Sequence, residues 1–400
     1  MKLYILLGAF ILSSIGFHTH DGNAYIDSIA DKTLNQTTIP IELVDNKYLL
    51  IDVTVNNKTL KFYFDTGATA TLIDSKTAKE LGIESNFEQQ GMGADGPKTF
   101  KIAMNQAVQI SDIDLLGMPL VFEDLSRLKE ASVIEFDGII GYSLLNLYTI
   151  EVDIENRKMS LYTSESEPNK EFYSEHPFSL DNGIPIPQMK MTFILNDDSS
   201  YEGNVLFDSG AGLTLLVSTP FKENNNLLTK SKKVYSRVSN SLSKTATHHQ
   251  ISIKSLQLYD YIFKDLPINL SSSKNGISAD SRFLGFLGAE IIYRFNFILD
   301  YKNQKIYLKP NKTYKGAFNF PTTGISIKKN KNDEIYITQL SIESDAYKQG
   351  IREGDIISSI NSINNNDLNE YRKLLKSQSA TIHIKIKHKK AFKITPKRLI

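Results

Sequence analysis

The chain has 400 residues, with 46 Lys and Arg against 45 Asp and Glu, so its formal net charge is +1. At ~100–200 residues per domain that length admits several domains, and the balanced charge gives no general electrostatic reason to bind nucleic acid or an anionic membrane. There is no cysteine, which excludes disulfides, thiolate metal sites, iron–sulfur centres and cysteine nucleophiles. Seven scattered histidines without a His-Glu-x-x-His pattern leave little room for a zinc hydrolase, and no metal or cofactor is expected.

Met1-Lys2 precedes an apolar run from Leu3 to Phe17, and a polar stretch then ends in Gly22-Asn23-Ala24. A basic end, a run about the ~7–15 residues of a signal h-region and a small-residue exit predict a signal peptide over 1–24. The run falls short of the ~20 residues a spanning helix needs. No cysteine follows for lipid attachment. The expected product is exported, periplasmic or extracellular, with no membrane span after leader cleavage.

Beyond the leader the pattern is mainly β. Leu49–Val55 and Lys61–Asp65 alternate or run apolar as strands do, with Asn56-Asn57 as a turn between them. Ser75–Leu81, closed by Gly82, predicts a short helix. Thr149–Asp153 and Lys158–Tyr162 predict further strands, and Glu42, Asp52, Asp153 and Asp300 read as turn or surface acids. The polar runs Thr163–Lys170 and Asn311–Lys315 predict linkers. After them Gly324–Lys328 and Ile335–Leu340 read as strands, Asp367–Lys376 as a helix, and Thr381–Lys387 alternates. Residues 316–400 are enough for a small independent core.

An internal duplication organises the first three quarters of the chain. Phe64-Asp65-Thr66-Gly67-Ala68 returns 143 positions on as Phe207-Asp208-Ser209-Gly210-Ala211. Each copy is followed by a Gly-x-x-Gly, Gly138-Ile139-Ile140-Gly141 and Gly285-Phe286-Leu287-Gly288. Each then reaches an apolar-Asp pair, Val152-Asp153 and Leu299-Asp300.

An Asp at the end of an apolar strand, followed by a small hydroxyl residue and Gly, places a carboxylate at a rigid position that other backbone can approach closely. One such tripeptide is weak evidence, since ordinary usage yields roughly 0.2 per chain of this length; alone it reads as a turn Asp capping a helix. Two copies on equivalent halves predict that Asp65 and Asp208 meet at a two-fold axis. Carboxylates at that distance share a proton and titrate as a pair. The ionised member can then activate water while the protonated one serves the carbonyl oxygen and leaving amine.

On these residues the chain resembles an aspartic protease of the pepsin/retropepsin clan, of a bacterial exported type with both lobes in one chain. Asp-Thr-Gly-Ala and Asp-Ser-Gly-Ala are nearer the retroviral form than the digestive pepsins, which usually carry Ser or Thr after the Gly. The resemblance covers about 43–310. It implies two pseudo-symmetric β-barrel lobes, 25–162 and 171–310, with Asp65 and Asp208 catalytic and no dimer required. It further implies support of the pair by Thr66, Gly67, Ser209 and Gly210, with Thr66 and Ser209 bonding across the lobe contact. Ile139-Ile140-Gly141 and Phe286-Leu287-Gly288 match the element that threads beside each Asp. The family covers its cleft with a Gly-rich hairpin, for which Gly91, Met92, Gly93 and Gly96 are the candidates. Arg237–Lys244 in the second copy lacks glycine, so one working flap is expected. Ala68 and Ala211 remove a hydroxyl donor, so the pair is expected to titrate higher, and the optimum to be less acidic, than in pepsins.

The stretch from Ala346 through Gly350-Ile351-Arg352-Glu353-Gly354-Asp355 to Ile360-Asn361 resembles the central signature of a PDZ domain, a small α+β fold, over about 316–400. The resemblance implies that Gly324, Ile325, Ser326 and Ile327 hold the C-terminal carboxylate of a peptide ligand. A PDZ-like fold used only for lobe packing or gating is the plainer alternative. The combined expectation is an aspartic endopeptidase acting on peptide or protein substrates. A silent peptide-binding scaffold, and a protease acting on itself or one partner, are the alternatives.

Overall fold

The computed structural model describes residues 35–93, 96–132, 134–240 and 245–400. The leader expected over 1–24 lies outside the described residues. No helix among those described is long and apolar enough to cross a membrane.

The first strands are β1 (Gln36–Pro40), β2 (Glu42–Val44), β3 (Tyr48–Val55), β4 (Lys58–Phe64), β5 (Leu72–Asp74) and β6 (Phe87–Gly93). They continue with β7 (Gly96–Ile110), β8 (Ile113–Glu123), β9 (Gly138–Ile140), β10 (Thr149–Asp153) and β11 (Lys158–Tyr162). Short helices lie among them, including α1 (Ser75–Glu80), α2 (Ser126–Ser132) and a single turn at Tyr142–Leu145. Next come β12 (Ser174–Pro177), β13 (Gln188–Ile194), β14 (Ser200–Asp208), β15 (Leu215–Val217) and β16 (Tyr235–Asn240). The series closes with β17 (Thr245–Leu258), β18 (Tyr261–Leu270), β19 (Gly285–Gly288), β20 (Phe295–Asp300) and β21 (Lys305–Pro310).

An eight-stranded sheet runs β2-β3-β4-β9-β5-β8-β7-β6 and closes through an extra β3–β7 pairing. A seven-stranded sheet runs β13-β14-β19-β15-β18-β17-β16 and closes through β13–β17. With β3 set against β13 the same order recurs strand for strand. In both, the strand leading to the Asp lies parallel to the Gly-x-x-Gly strand, β4 on β9 and β14 on β19. A six-stranded antiparallel sheet, β1-β11-β10-β20-β21-β12, ties the two together, pairing Ile150 with Leu299 and Val152 with Phe297 at its centre.

Local chemistry explains the turns. Asn56 and Asn57 take φ of +48° and +67° between β3 and β4, a two-residue hairpin turn that Asn tolerates at both positions. Asp153 and Asp300 close the β10–β11 and β20–β21 turns, each accepting the backbone N–H and the side-chain amide of an Asn three residues on. Asp300 is buried while doing so rather than on an exposed face. One apolar cluster, including Phe62, Phe64, Phe207 and Phe297, runs through all three sheets. Each such side chain contributes ~1.5–3 kcal/mol by leaving water, which fixes the two barrel-like sheets against one another.

The C-terminal module has a separate apolar core. It consists of β22 (Ile325–Lys329) paired with β23 (Ile335–Leu340), a sheet of β24 (Ile357–Ile360), β25 (Ile382–Ile386) and β26 (Ala391–Ile394), and helices α3 (Asp345–Lys348) and α4 (Leu368–Leu375). Asp367 caps α4 by accepting from the N–H groups of Asn369 and Glu370, and Tyr371 and Leu375 pack into the core.

The expected linker at Asn311–Lys315 is held down. The Arg294 guanidinium donates to the carbonyls of Thr313, Tyr314, Gly316 and Ala317 while lying 3.7 Å from the centre of the Phe318 ring. Arg294→Met removes these charged donors, each worth about 1.5–3 kcal/mol. The expected outcome is thermolysin cleavage within 311–320 at least ~10-fold faster than in the parent, read by mass spectrometry under native conditions.

Candidate active site

β4 ends at Phe64 and β14 at Asp208, so each delivers its Asp where the strand runs out into an Asp-Thr/Ser-Gly-Ala loop. The Gly-x-x-Gly strands hold these loops from beneath. Asp65 N–H donates to the Ile140 carbonyl at 2.9 Å. Tyr142 N–H donates to the Ala68 carbonyl and Ala289 N–H to that of Ala211, at 2.9 and 2.8 Å. A Cβ on Gly141 would stand 2.0 Å from the Asp65 carbonyl oxygen, and one on Gly288 2.3 Å from that of Leu213. Only glycine fits at either position.

The two loops interlock. A Cβ on Gly67 would lie 2.7 Å from Asp208 Oδ1 and 3.1 Å from Asp65 Oδ1, and one on Gly210 would lie 2.4 Å from the Asp65 carboxyl. Each carboxyl thus rests against the glycine of the opposite loop, and the two acids lie side by side. Thr66 Oγ1 donates to the Phe207 carbonyl at 2.6 Å and accepts from Ser209 N–H at 3.0 Å. Ser209 Oγ accepts from Thr66 N–H at 3.0 Å and points back to the Phe64 carbonyl at 3.4 Å. Tyr63 OH lies 3.2 Å from the carbonyls of both Ser209 and Gly210.

Asp65 and Asp208 are both fully buried. Their inner oxygens are satisfied: Gly67 N–H donates to Asp65 Oδ1 at 2.8 Å, and Gly210 and Ala211 N–H to Asp208 Oδ1 at 2.9 and 3.1 Å. Their outer oxygens, both Oδ2, are buried with no hydrogen-bond partner among the described residues. Burial pushes the Asp65 carboxyl up to about 6, against the pull of the Gly67 N–H, the neighbouring Asp208 side chain and the Gly210 and Ala68 N–H groups. Burial, then the charge of Asp65, pushes Asp208 well above the ordinary carboxylate value. One proton shared by the pair across neutral pH follows.

The remaining sequence candidates fall elsewhere. Gly91, Met92, Gly93 and Gly96 lie on the β6–β7 hairpin, with Gly93 paired to Gly96; Ala94 and Asp95 lie outside the described residues. A second hairpin, β16–β17, stands at the corresponding place in the other sheet, pairing Asn240 with Thr245. The two copies therefore differ there in glycine content rather than in having a hairpin. Gly324, Ile325, Ser326 and Ile327 are not brought to the acid pair; Ile325, Ser326 and Ile327 open β22 of the C-terminal module, and Gly324, at φ +65°, precedes it. Among the described residues no group of three or more His, Asp or Glu side chains converges to hold a metal ion.

Sequence reading missed Lys47 and Glu290. Lys47 Nζ donates to the Gly212 carbonyl at 2.8 Å and pairs with Glu290, both side chains nearly buried, tying the β2–β3 turn to the Asp208 loop. A lysine in a polar turn carries no signal of burial. The available clue was Glu290 itself, an acid two residues past Gly288 where the first copy has Ser143.

Residues 51–144 match the family model described as aspartyl protease, which takes in Asp65, Thr66, Gly67 and Gly141. Residues 322–387 match that of the PDZ domain. The chain therefore carries an aspartyl protease domain and a C-terminal PDZ domain. No curated protein matches it.

Two outcomes follow. Ser209→Ala strands the Thr66 N–H and Thr66→Val strands the Ser209 N–H, so each is expected to cost about 1–3 kcal/mol by urea denaturation. The double variant is expected to cost less than their sum. For the acid pair, the folded pKa exceeds the unfolded ~3.9, so its stability contribution is intact below about 4 and is lost as pH rises through about 6. Asp208→Asn is expected to flatten that fall and to raise the thermal midpoint at pH 7, as measured by calorimetry from pH 4 to 8.

Proposed function

We propose that the chain is an aspartic endopeptidase, with Asp65 and Asp208 as its catalytic pair and the PDZ module recruiting peptides or protein partners. In this reading residues 25–162 and 171–310 are two pseudo-symmetric lobes and 316–400 is the PDZ module. Both halves of the site lie in one chain, so no second copy is needed. The protein acts outside the cytoplasm once its 1–24 leader is removed.

The observation that carries this reading is the burial of two carboxyls side by side with their outer oxygens unspent. At neutral pH such a pair costs stability, and two amides of the same shape would serve the fold better. Paired acids retained at that cost are suited to proton transfer. With one proton between them, the ionised carboxyl takes a proton from a substrate water and the resulting hydroxide adds to the peptide carbonyl carbon. The other carboxyl gives its proton to the carbonyl oxygen, forming a gem-diol. Transfer of a proton to the amide nitrogen then lets the C–N bond break, with acid and amine as products. The interlocked glycines and the Thr66–Ser209 exchange hold both carboxyls in place, so little rearrangement accompanies the charge movement.

The decisive measurement is cleavage of a mixed peptide library by the purified protein from pH 3 to 8, beside Asp65→Asn and Asp208→Asn. Both substitutions are expected to abolish cleavage. Activity requires the singly protonated pair, so the rate is expected to fall about tenfold per pH unit below an acid limb near 6. Activity surviving either substitution removes the catalytic assignment. A profile peaking below ~3.9 removes the argument from burial, and an intact but inactive wild type across the range points to the scaffold.

A further inference from the structure

The PDZ module turns its peptide-binding side toward the protease. Among the described residues β22 pairs with β23 alone, so its other edge and α4 bound a groove in which a peptide could add as a strand. Arg372 of α4 lies there at 4% exposure, its Nη2 donating to the Ile327 carbonyl on β22 at 3.4 Å. Its Nε and Nη1 have no hydrogen-bond partner among the described residues. A guanidinium withdrawn from water with two donor sites unfilled is costly unless an anion completes it. Lys328 on β22 and Lys376 at the end of α4 add positive charge on either side.

What covers this basic groove is acidic. Glu130 of α2 pairs with Lys328 at 3.0 Å, and Asp45 in the β2–β3 turn pairs with Lys376 at 2.9 Å. The Glu130 carboxylate and Tyr48 also act on Arg372 through space. Burial opposes ionisation of Asp45, yet Lys376, with Lys373 and Lys47 behind it, pulls its carboxyl below the ordinary value. On the other side, Gln339 of β23 donates to the Ser236 carbonyl of β16 at 3.1 Å. Tyr235 and Gln250 wall the hollow beside Thr322–Ser326.

We propose that the β22–α4 groove takes a peptide bearing acidic side chains, and that Glu130 and Asp45 are the chain's own stand-ins for it. Ligand and protease surface then compete for Lys328, Arg372 and Lys376, and binding lifts the module from the first sheet. This rests on the peptide-recruiting reading of the PDZ module and adds to it the charge of the ligand and the residues that displace it.

The test is fluorescence anisotropy with two labelled peptides ending in a free carboxylate, one with Glu and Asp side chains and one with Gln and Asn in their place. The full chain carries Asp65→Asn to spare the probes. The acidic probe is expected to bind at least ~10-fold tighter than the amide probe, and to gain a further ~10-fold when Glu130→Gln and Asp45→Asn are introduced together. Arg372→Gln in that background should lose most of the selectivity, and Arg372→Lys should retain it. Equal binding of both probes overturns the acidic preference, and an unchanged affinity in the double variant overturns the competition. Should Arg372→Gln fold poorly, the two-probe comparison on the unaltered groove still decides. If neither probe binds any of the proteins, the peptide-recruiting reading falls as well.

Discussion

Two carboxyl groups withdrawn from water, each resting against the glycine of the other's loop, set the terms for the rest of the structure. Their burial is opposed by desolvation and, once one ionises, by mutual repulsion. The fold meets that cost with backbone rather than side-chain charge. Three N–H groups are spent on the inner oxygens, and Thr66 and Ser209 lock the two loops by exchanging hydrogen bonds with each other's N–H. Such a site tolerates no slack: the glycines at 67, 141, 210 and 288 sit where any Cβ would enter an oxygen or carboxyl. The apolar cluster through all three sheets supplies the rigidity, because a shift in either sheet would separate the loops.

The two copies are alike in strand order and in the Asp loops but not in what surrounds them. Tyr63 reaches from the first copy to the Ser209 and Gly210 carbonyls, and its counterpart one residue before Phe207 is Leu206, which has no hydroxyl to return the contact. Lys47 likewise runs one way, from the first sheet to Gly212 and Glu290 of the second. The Asp208 loop is therefore braced from outside its own sheet by Tyr63 and Lys47. A buried ion pair such as Lys47–Glu290 adds little net stability over an apolar pair; its effect here is to fix the position of one turn against one loop.

What could be read from the sequence was whatever the backbone dictates. Glycine under an oxygen, Asn-Asn in a two-residue turn and the period of the strands are local requirements, visible without a partner. The repeat extended this to the pairing of two distant segments, since two loops of the same shape on equivalent strands have few ways to pack. Long-range side-chain choices stayed hidden. Lys47 looks like any turn lysine, Arg372 like any helix arginine and Asp300 like a surface acid, because their burial is decided by elements more than a hundred residues away or by the docking of the module. The sheet closures β3–β7 and β13–β17 were hidden for the same reason.

Lys47 and Lys376 are linked by position as well as by charge. Asp45, Asn46 and Lys47 form one turn, with left-handed backbone at Asp45 and Asn46. At one end Asp45 binds Lys376 of the PDZ helix, and at the other Lys47 binds the Gly212 carbonyl, four residues past Asp208. Tyr48, next in sequence, packs 3.3 Å from where a Gly212 Cβ would stand and against the Tyr63 ring. A left-handed pair of residues cannot stretch smoothly, because the allowed region is small and bordered by steric clash. The turn is therefore a short, stiff link, with the module at Lys376 on one end and the loop that carries Asp208 on the other. The same turn that sets an acid against Lys376 of the module thus braces the loop of the acid pair, so one short segment of chain fixes two distant parts of the molecule against the first sheet.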